Sequence, residues 1–355
     1  MMTPAELLDT LRRIHAAVCD EILAACEVRS ADELAHMPRD GAGDITYTID
    51  HVSETALLDR MDREIAAHDP IILIGEGLPN GRITLPENAD HTDARWRIIV
   101  DPIDGTRGLM YQKRPGWVLT GVAPNRGEDT SIADIELAVQ TEIPLIKQHL
   151  CDQLWAIRGQ GAQAARHDRL TGESLPLVLG PSTAADLRHG YSTICRFFPG
   201  ARDVLAALDD KLCYRLYAGG LSPFAESVEQ KGTVPLAGPD AIAIFEDQQC
   251  TAGQLYGLAT GQDRFVADLR PLVQPIITSR GHSLGHCCHP YDLCTKLIAE
   301  EVGVIITAPD GRPVRAPLDT DANVAWLGYA NRDLQGHIEP VLHELLQSML
   351  KAHLR

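Results

Sequence analysis

Apolar residues recur at steps of three and four along residues 4–27, where Leu7, Leu8, Leu11, Ile14, Val18, Ile22 and Leu23 share one stripe. That period predicts an amphipathic helix. A second stripe of Leu57, Leu58, Met61 and Ile65 predicts another helix from about Ser53. The pattern then changes. Ile71–Ile74 and Ile98–Val100 are short unbroken apolar runs that suit buried strands, and each ends in acidic residues. Trp117–Ala123 is a third strand candidate, and Leu154–Ile157 a fourth that runs into a Gly-containing turn. Further upstream, Gly43 to Asp50 alternates in a strand-like way, with Asp44 and Asp50 at polar positions.

A polar stretch near 165–185 contains Gly and Pro and divides the chain into halves of 1–180 and 181–355. In the second half, Ala201–Leu212 reads as a helix and 218–250 as a loop rich in Gly, Pro and acidic residues. Leu293–Glu301 has a helical apolar face, Val302–Thr307 reads as a strand, and Leu334–Leu350 as a closing helix. No internal repeat is visible. The expectation is a mixed α+β architecture in two parts, which 355 residues are enough to fill.

Charge narrows the function. A formal net charge of −17 opposes a nucleic-acid backbone or an anionic membrane as partner. An acidic protein can still take an anionic substrate if metal ions reverse the local sign. The nine cysteines are scattered without a C-x-x-C pair, so reduced thiols and a cytoplasmic location are expected. No apolar run approaches the ~20 residues needed to span a bilayer.

The richest segment is Trp96-Arg-Ile-Ile-Val-Asp101-Pro-Ile-Asp104-Gly-Thr106. An apolar strand delivers Asp101 at its end, Pro102 stiffens the turn, and Asp104 follows three residues later. Gly105 permits close approach of backbone to a ligand, and Thr106 sits where exposed amides could receive an anion. Paired carboxylates at a strand end suit hard cations such as Mg²⁺. The bland alternative is a turn whose aspartates only cap the next helix. Ile71-Ile-Leu-Ile-Gly75-Glu76 is another strand ending in a carboxylate, and Asp292 precedes an apolar helical face, where capping alone would explain it. The run His286-Cys-Cys-His289 is too compact to surround one tetrahedral zinc, and no partner pair stands out.

Gly75-Glu76, Asp101-Pro-Ile-Asp-Gly-Thr106 and Tyr291-Asp292 together resemble, in order and spacing, the inositol monophosphatase family. That family shares a superfamily with fructose-1,6-bisphosphatase and the 3′-phosphoadenosine-5′-phosphate phosphatases. The resemblance implies a layered αβαβα sandwich and a Mg²⁺-dependent phosphatase holding two or three ions. It assigns Glu76, Asp101 and the Ile103 carbonyl to one Mg²⁺, and Asp101, Asp104 and Asp292 to a second, with a weaker third ion leaning on Glu76. Gly105 and Thr106 amides would receive the phosphate. Asp50 and Thr106 would orient and deprotonate the attacking water, with Asp44 in support.

The chain departs from the pattern in places. Where the family usually carries a second glutamate after the first, this chain has Gly77. Arg107-Gly108 after the motif threonine looks more like the phosphoadenosine phosphate phosphatases, and Arg107 is either a contact for a second anionic group or a solvated cation. For the substrate pocket, Asp263 and Asp268 are both candidates, with Arg264 and Arg270 nearby, and surface ion pairs are the alternative. Relative to shorter family members, 218–250 looks like an insertion of roughly thirty residues, readable as a lid, an oligomer contact or a plain surface loop. The expected substrate is a small inositol or sugar phosphate. A 3′(2′),5′-bisphosphate nucleotidase and a non-catalytic phosphate-ligand binding protein are the alternatives. Family members are commonly dimers, so a homodimer is expected.

Overall fold

The protein is described from a computed structural model covering residues 2–35, 47–217 and 243–353. Asp44 and most of the expected insertion, residues 218–242, lie outside the described residues.

The first sheet has eight strands, β1 (Ile71–Gly75), β2 (Arg82–Leu85), β3 (Trp96–Asp104), β4 (Gly116–Pro124), β5 (Leu137–Ile143), β6 (Leu150–Ile157), β7 (Ala162–Asp168) and β8 (Ser174–Leu177). Their spatial order is β2-β1-β3-β4-β5-β6-β7-β8, with β1 parallel to β3 and every other pair antiparallel. The second sheet contains β9 (Gly190–Ile194), β10 (Ala243–Glu246), β11 (Asp263–Asp268), β12 (Ile305–Thr307) and β13 (Trp326–Tyr329), ordered β10-β9-β11-β13-β12. The helices are α1 (Pro4–Val28), α2 (Ala31–Leu34), α3 (Thr48–Met61), α4 (Thr106–Met110), α5 (Arg202–Tyr217), α6 (Thr251–Ala259), α7 (Gln274–Ser279), α8 (Lys296–Glu301) and α9 (Arg332–His353).

Side-chain alternation along the strands sorts these elements into layers. Leu73, Ile98, Val100, Val118 and Val139 turn to one side of the first sheet and pack with Leu11, Ile14 and Val18 of α1 and Leu57 and Met61 of α3. Ile72, Ile74, Ile99, Leu119 and Ala138 turn to the other side. There they join Leu255 and Leu258 of α6, Leu297 and Ile298 of α8, and Phe265 and Trp326 of the second sheet. Helices α5 and α9 pack against each other and against the second sheet. The result is the five-layer αβαβα sandwich, α1/α3, sheet, α6/α8, sheet, α5/α9.

Several local readings of the sequence change. Thr48–Asp50 is not strand but the first turn of α3, because Asp50 Oδ2 accepts the Tyr47 amide at 2.9 Å and closes the helix start. The polar stretch near 165–185 holds β7 and β8, an edge hairpin whose outer side chains need not be apolar. Ala243–Glu246, the described strand within the expected insertion, is β10, paired parallel to β9. Asp292 is not a helix cap, since α8 starts four residues after it with Thr295 at the cap position. Among the described residues no helix is long and apolar enough to cross a membrane.

Candidate active site

Strand β3 ends in the chemistry. Its ladder with β4 is regular to Asp101 and resumes only at Asp104, so Pro102 and Ile103 form an irregular step that lets both aspartates leave the sheet together. Asp101 Oδ1 accepts the Ile103 amide at 2.9 Å, which fixes that step. Gly105 follows with φ 88°, a left-handed conformation, and a Cβ there would lie 3.1 Å from Cys250 Cβ. Glycine meets both demands.

The other half supplies two supports. Asp104 Oδ2 accepts the Ala252 amide at 2.6 Å, at the first turn of α6, where the helix dipole favours negative charge. Asp292, from the turn preceding α8, has Oδ2 held by the His289 amide at 2.6 Å. One carboxylate oxygen from each of Asp101, Asp104 and Asp292 falls within 4.8 Å of the others, and all three residues are buried.

Burial drives the Asp101 and Asp104 carboxyls well above the usual carboxylate range, and neighbouring carboxylates push further, Asp104 and Asp292 acting on Asp101. Backbone donors at Ile103 and Ala252 oppose the shift without cancelling it. Three convergent carboxylates with oxygen donors only, near an Arg270 that draws Asp104 down but is itself paired with Asp268, make the donor set of a hard divalent cation. The residues present therefore fit Mg²⁺, and among the described residues this is the one such group of three.

Around them runs a cleft of ≈ 1290 Å³. Gly75 is level with Val100 in the parallel β1–β3 pair, so Glu76 and Asp101 leave the sheet side by side, and both line the cleft. Asp50 lies on the first turn of α3, and its carboxyl is raised by burial although the Tyr47 amide, the Thr106 hydroxyl and Arg107 draw it down. Thr106 Oγ1 donates to the Ile103 carbonyl at 2.7 Å. A hydroxyl has one proton, so Thr106 cannot donate to Ile103 and Asp50 at once. Glu54, one helical turn beyond Asp50, also lines the cleft, and its carboxyl is pushed up to about 7 by burial, Asp50 and Glu76. Sequence reasoning missed Glu54, although its four-residue spacing from Asp50 on a helix was a usable signal.

The cleft is also lined by cationic and aromatic side chains. Arg107 Nε donates to the Tyr47 hydroxyl at 3.0 Å, and its guanidinium sits 5.5 Å from the Phe198 ring centroid. Arg270 lies 4.3 Å from the Phe197 ring. Arg114 pairs with Glu246, and Arg280 with Asp203.

Neither Asp263 nor Asp268 lines this cleft. Asp268 has no exposed surface and instead clamps Arg270, whose Nε donates to its two oxygens at 2.9 and 3.1 Å. Asp268, one of the two candidates read from the sequence, faces Arg270, and it is Arg270 that lines the cleft. Asp263, at the far end of β11, is packed against Gly257 and pushed up to about 6 by burial and Glu246. Arg264 donates to the Asp186 carbonyl at 2.9 Å. His286 and His289 do line the cleft, with ring centroids 5.0 Å apart.

No protein-family model and no curated protein matches the chain. Solved structures do. Fructose-1,6-bisphosphatase of Leishmania major, in its holo form, superposes with a TM-score of 0.62 at 12% identity, over 98% of this chain and 94% of that one. The extragenic suppressor protein suhB of Bartonella henselae gives 0.60 at 14% identity, over 96% and 98%. The Thermotoga maritima IMPase gives 0.57 at 13%, over 96% and 98%. This chain has the fold these proteins share.

Proposed function

We propose that the chain is a Mg²⁺-dependent phosphatase that hydrolyses a phosphate monoester of a small polyol, an inositol phosphate or a sugar phosphate, by attack of water. One observation carries the reading: three buried carboxylates, two from the end of β3 and one from the segment before α8, meet within 4.8 Å on the wall of an open cleft. The fold supports it.

Glu76, Asp101 and the Ile103 carbonyl would hold one ion, and Asp101, Asp104 and Asp292 another. Bound ions of this kind lower the pKa of water and neutralise charge on a leaving oxygen. The chain's own groups do the rest. Gly105 and Thr106 amides orient the phosphate. Thr106 and Asp50 handle the proton of the attacking water: once the Ile103 carbonyl is engaged elsewhere, the Thr106 hydroxyl is free to donate to Asp50, which leaves its oxygen to accept from the water. Burial raises the Asp50 carboxyl, against the pull of the Tyr47 amide, the Thr106 hydroxyl and Arg107.

A panel of phosphorylated polyols, assayed for phosphate release with Mg²⁺ and again after chelation, tests the reading. Turnover that depends on Mg²⁺ supports it. Tight binding of phosphate esters without turnover would instead make the chain a binding protein. A second reading, a 3′(2′),5′-bisphosphate nucleotidase, is favoured by Arg107. Among the described residues that guanidinium forms no close ion pair, although it draws the Asp50 carboxyl down, and it stands beside Phe198, an arrangement suited to an anionic group next to a planar ring. Preference for a nucleoside bisphosphate over every polyol phosphate would replace the first reading with the second.

A further inference from the structure

One buried side chain of the first sheet reaches both second-half elements that serve the acidic cluster. Strand β5 alternates its faces, so Val139 turns to α1 while Ala138 and Gln140 turn to α6 and α8. Gln140 is buried. Its Nε2 donates to the Ala252 carbonyl at 2.9 Å, and its Oε1 accepts from Thr295 Oγ1 at 2.8 Å. A carbonyl can only accept, so the Ala252 partner fixes which way round the amide lies. Ala252 is also the residue whose amide holds Asp104, and Thr295 follows Asp292 by three residues. Thr295 occupies the cap position of α8, where a hydroxyl ordinarily accepts from a helix amide, yet it makes no such bond. Its proton goes to Gln140 instead.

A strand glycine points the same way. Gly121 of β4 stands opposite Ala138, and a Cβ on it would lie 2.8 Å from the Cys294 carbonyl oxygen and 3.0 Å from Cys294 Cβ. Gly121 thus lets the segment 292–295 approach the sheet more closely than any side chain there would allow. Neither Gln140 nor Gly121 lines the cleft.

We propose that Gln140 is a positioning residue for the metal-binding carboxylates. Its amide sets the spacing between α6, which supports Asp104, and the segment that carries Asp292, and Gly121 seats that segment on the sheet. The inference rests on the metal-dependent reading above and adds to it residues that act only through others.

Mn²⁺ binding to the full chain, followed by electron paramagnetic resonance of the free ion, tests this without recourse to activity. Gln140→Met keeps the bulk and removes both hydrogen bonds, and should weaken Mn²⁺ binding about 10–100-fold. Val139→Ala opens a gap on the α1 face of the same strand, and should lower stability while leaving the isotherm unchanged. Two variants of Thr295 separate hydrogen bonding from packing, and they decide alone if Gln140→Met does not fold. Thr295→Val keeps the shape and loses the hydroxyl, and should bind Mn²⁺ as weakly as Gln140→Met. Thr295→Ser loses a methyl and keeps the hydroxyl, and should bind like the wild type. A Gln140→Met isotherm superimposable on the wild type, or Thr295→Ser weaker than Thr295→Val, would overturn the assignment and leave the phosphatase reading standing. A wild-type protein that binds no Mn²⁺ at all would overturn both.

Discussion

Two groups of buried polar side chains lie on this chain's first sheet, and they are built on opposite principles. On the α1 side, His15 has no exposed surface, and its two ring nitrogens meet Thr141 Oγ1 at 3.1 Å and Thr120 Oγ1 at 2.7 Å. Burial holds the ring neutral, with its pKa down at about 3. One nitrogen donates, the other accepts, and every polar atom has a partner. At the end of β3 the reverse holds. Asp101, Asp104 and Asp292 are also buried, but they bring like charges together and push two carboxyls toward the protonated state. The first group is complete within the protein. The second has a surplus that only something from outside, a cation or protons, can balance, and that is the physical mark of a site.

The contrast can be broken at either group. The largest effect should come from Asp101→Asn or Asp292→Asn, which we expect to reduce Mg²⁺-dependent phosphate release by at least about 10³-fold with an unchanged circular dichroism spectrum. Undiminished turnover would remove the aspartates from the chemistry. Next in size, Arg270→Met leaves Asp268 charged and fully buried without its partner, and should cost about 3–5 kcal/mol in chemical denaturation. A loss below ~1 kcal/mol would show that the pair is not a compensated unit of the His15 kind.

The pH dependence of stability separates the two groups by sign. His15 binds a proton more readily when unfolded, so its neutral form contributes stability that is present above about 6.5 and lost as pH falls toward about 3. Between pH 7 and pH 5 this should amount to about 2 kcal/mol, and His15→Gln should flatten the slope. The Asp101 and Asp104 carboxyls are raised in the folded state, so without a cation the native protein binds more protons than the unfolded chain, and stability falls as pH rises above the ordinary carboxylate range. The smallest expected change tests that sign directly. Asp104→Asn keeps an acceptor for the Ala252 amide but removes a charge, and should raise the melting temperature of the chelated protein by about 2–4 °C at neutral pH. A lower melting temperature would mean that the repulsion is relieved by some group not counted above.

Much of the site was legible because strand ends announce themselves. Ile71–Ile74 and Ile98–Val100 are unbroken apolar runs, and the acidic residues that follow them must leave the sheet where the runs stop. The amphipathic stripes of α1 and α9 were equally plain. Helix α6 was not. Thr251-Ala-Gly-Gln-Leu-Tyr-Gly-Leu-Ala259 carries two glycines and no strong apolar period, and its helical state depends on packing between the two sheets. The pocket candidates stayed open for a related reason. Strand β11 alternates its faces, and nothing in Asp263–Asp268 indicates which face meets the cleft.

The sequence alone singled out the candidate ligands, and placed Glu76, Asp101 and Asp104 where strands end, because local patterning and a short motif are properties of neighbours along the chain. The resemblance already grouped Asp292 with Asp101 and Asp104; only the tertiary structure decided that Asp268 serves Arg270 and that Glu54 fills the space above Gly77. Those contacts join residues far apart in the chain or set by the direction of a side chain, and both are settled when the layers pack.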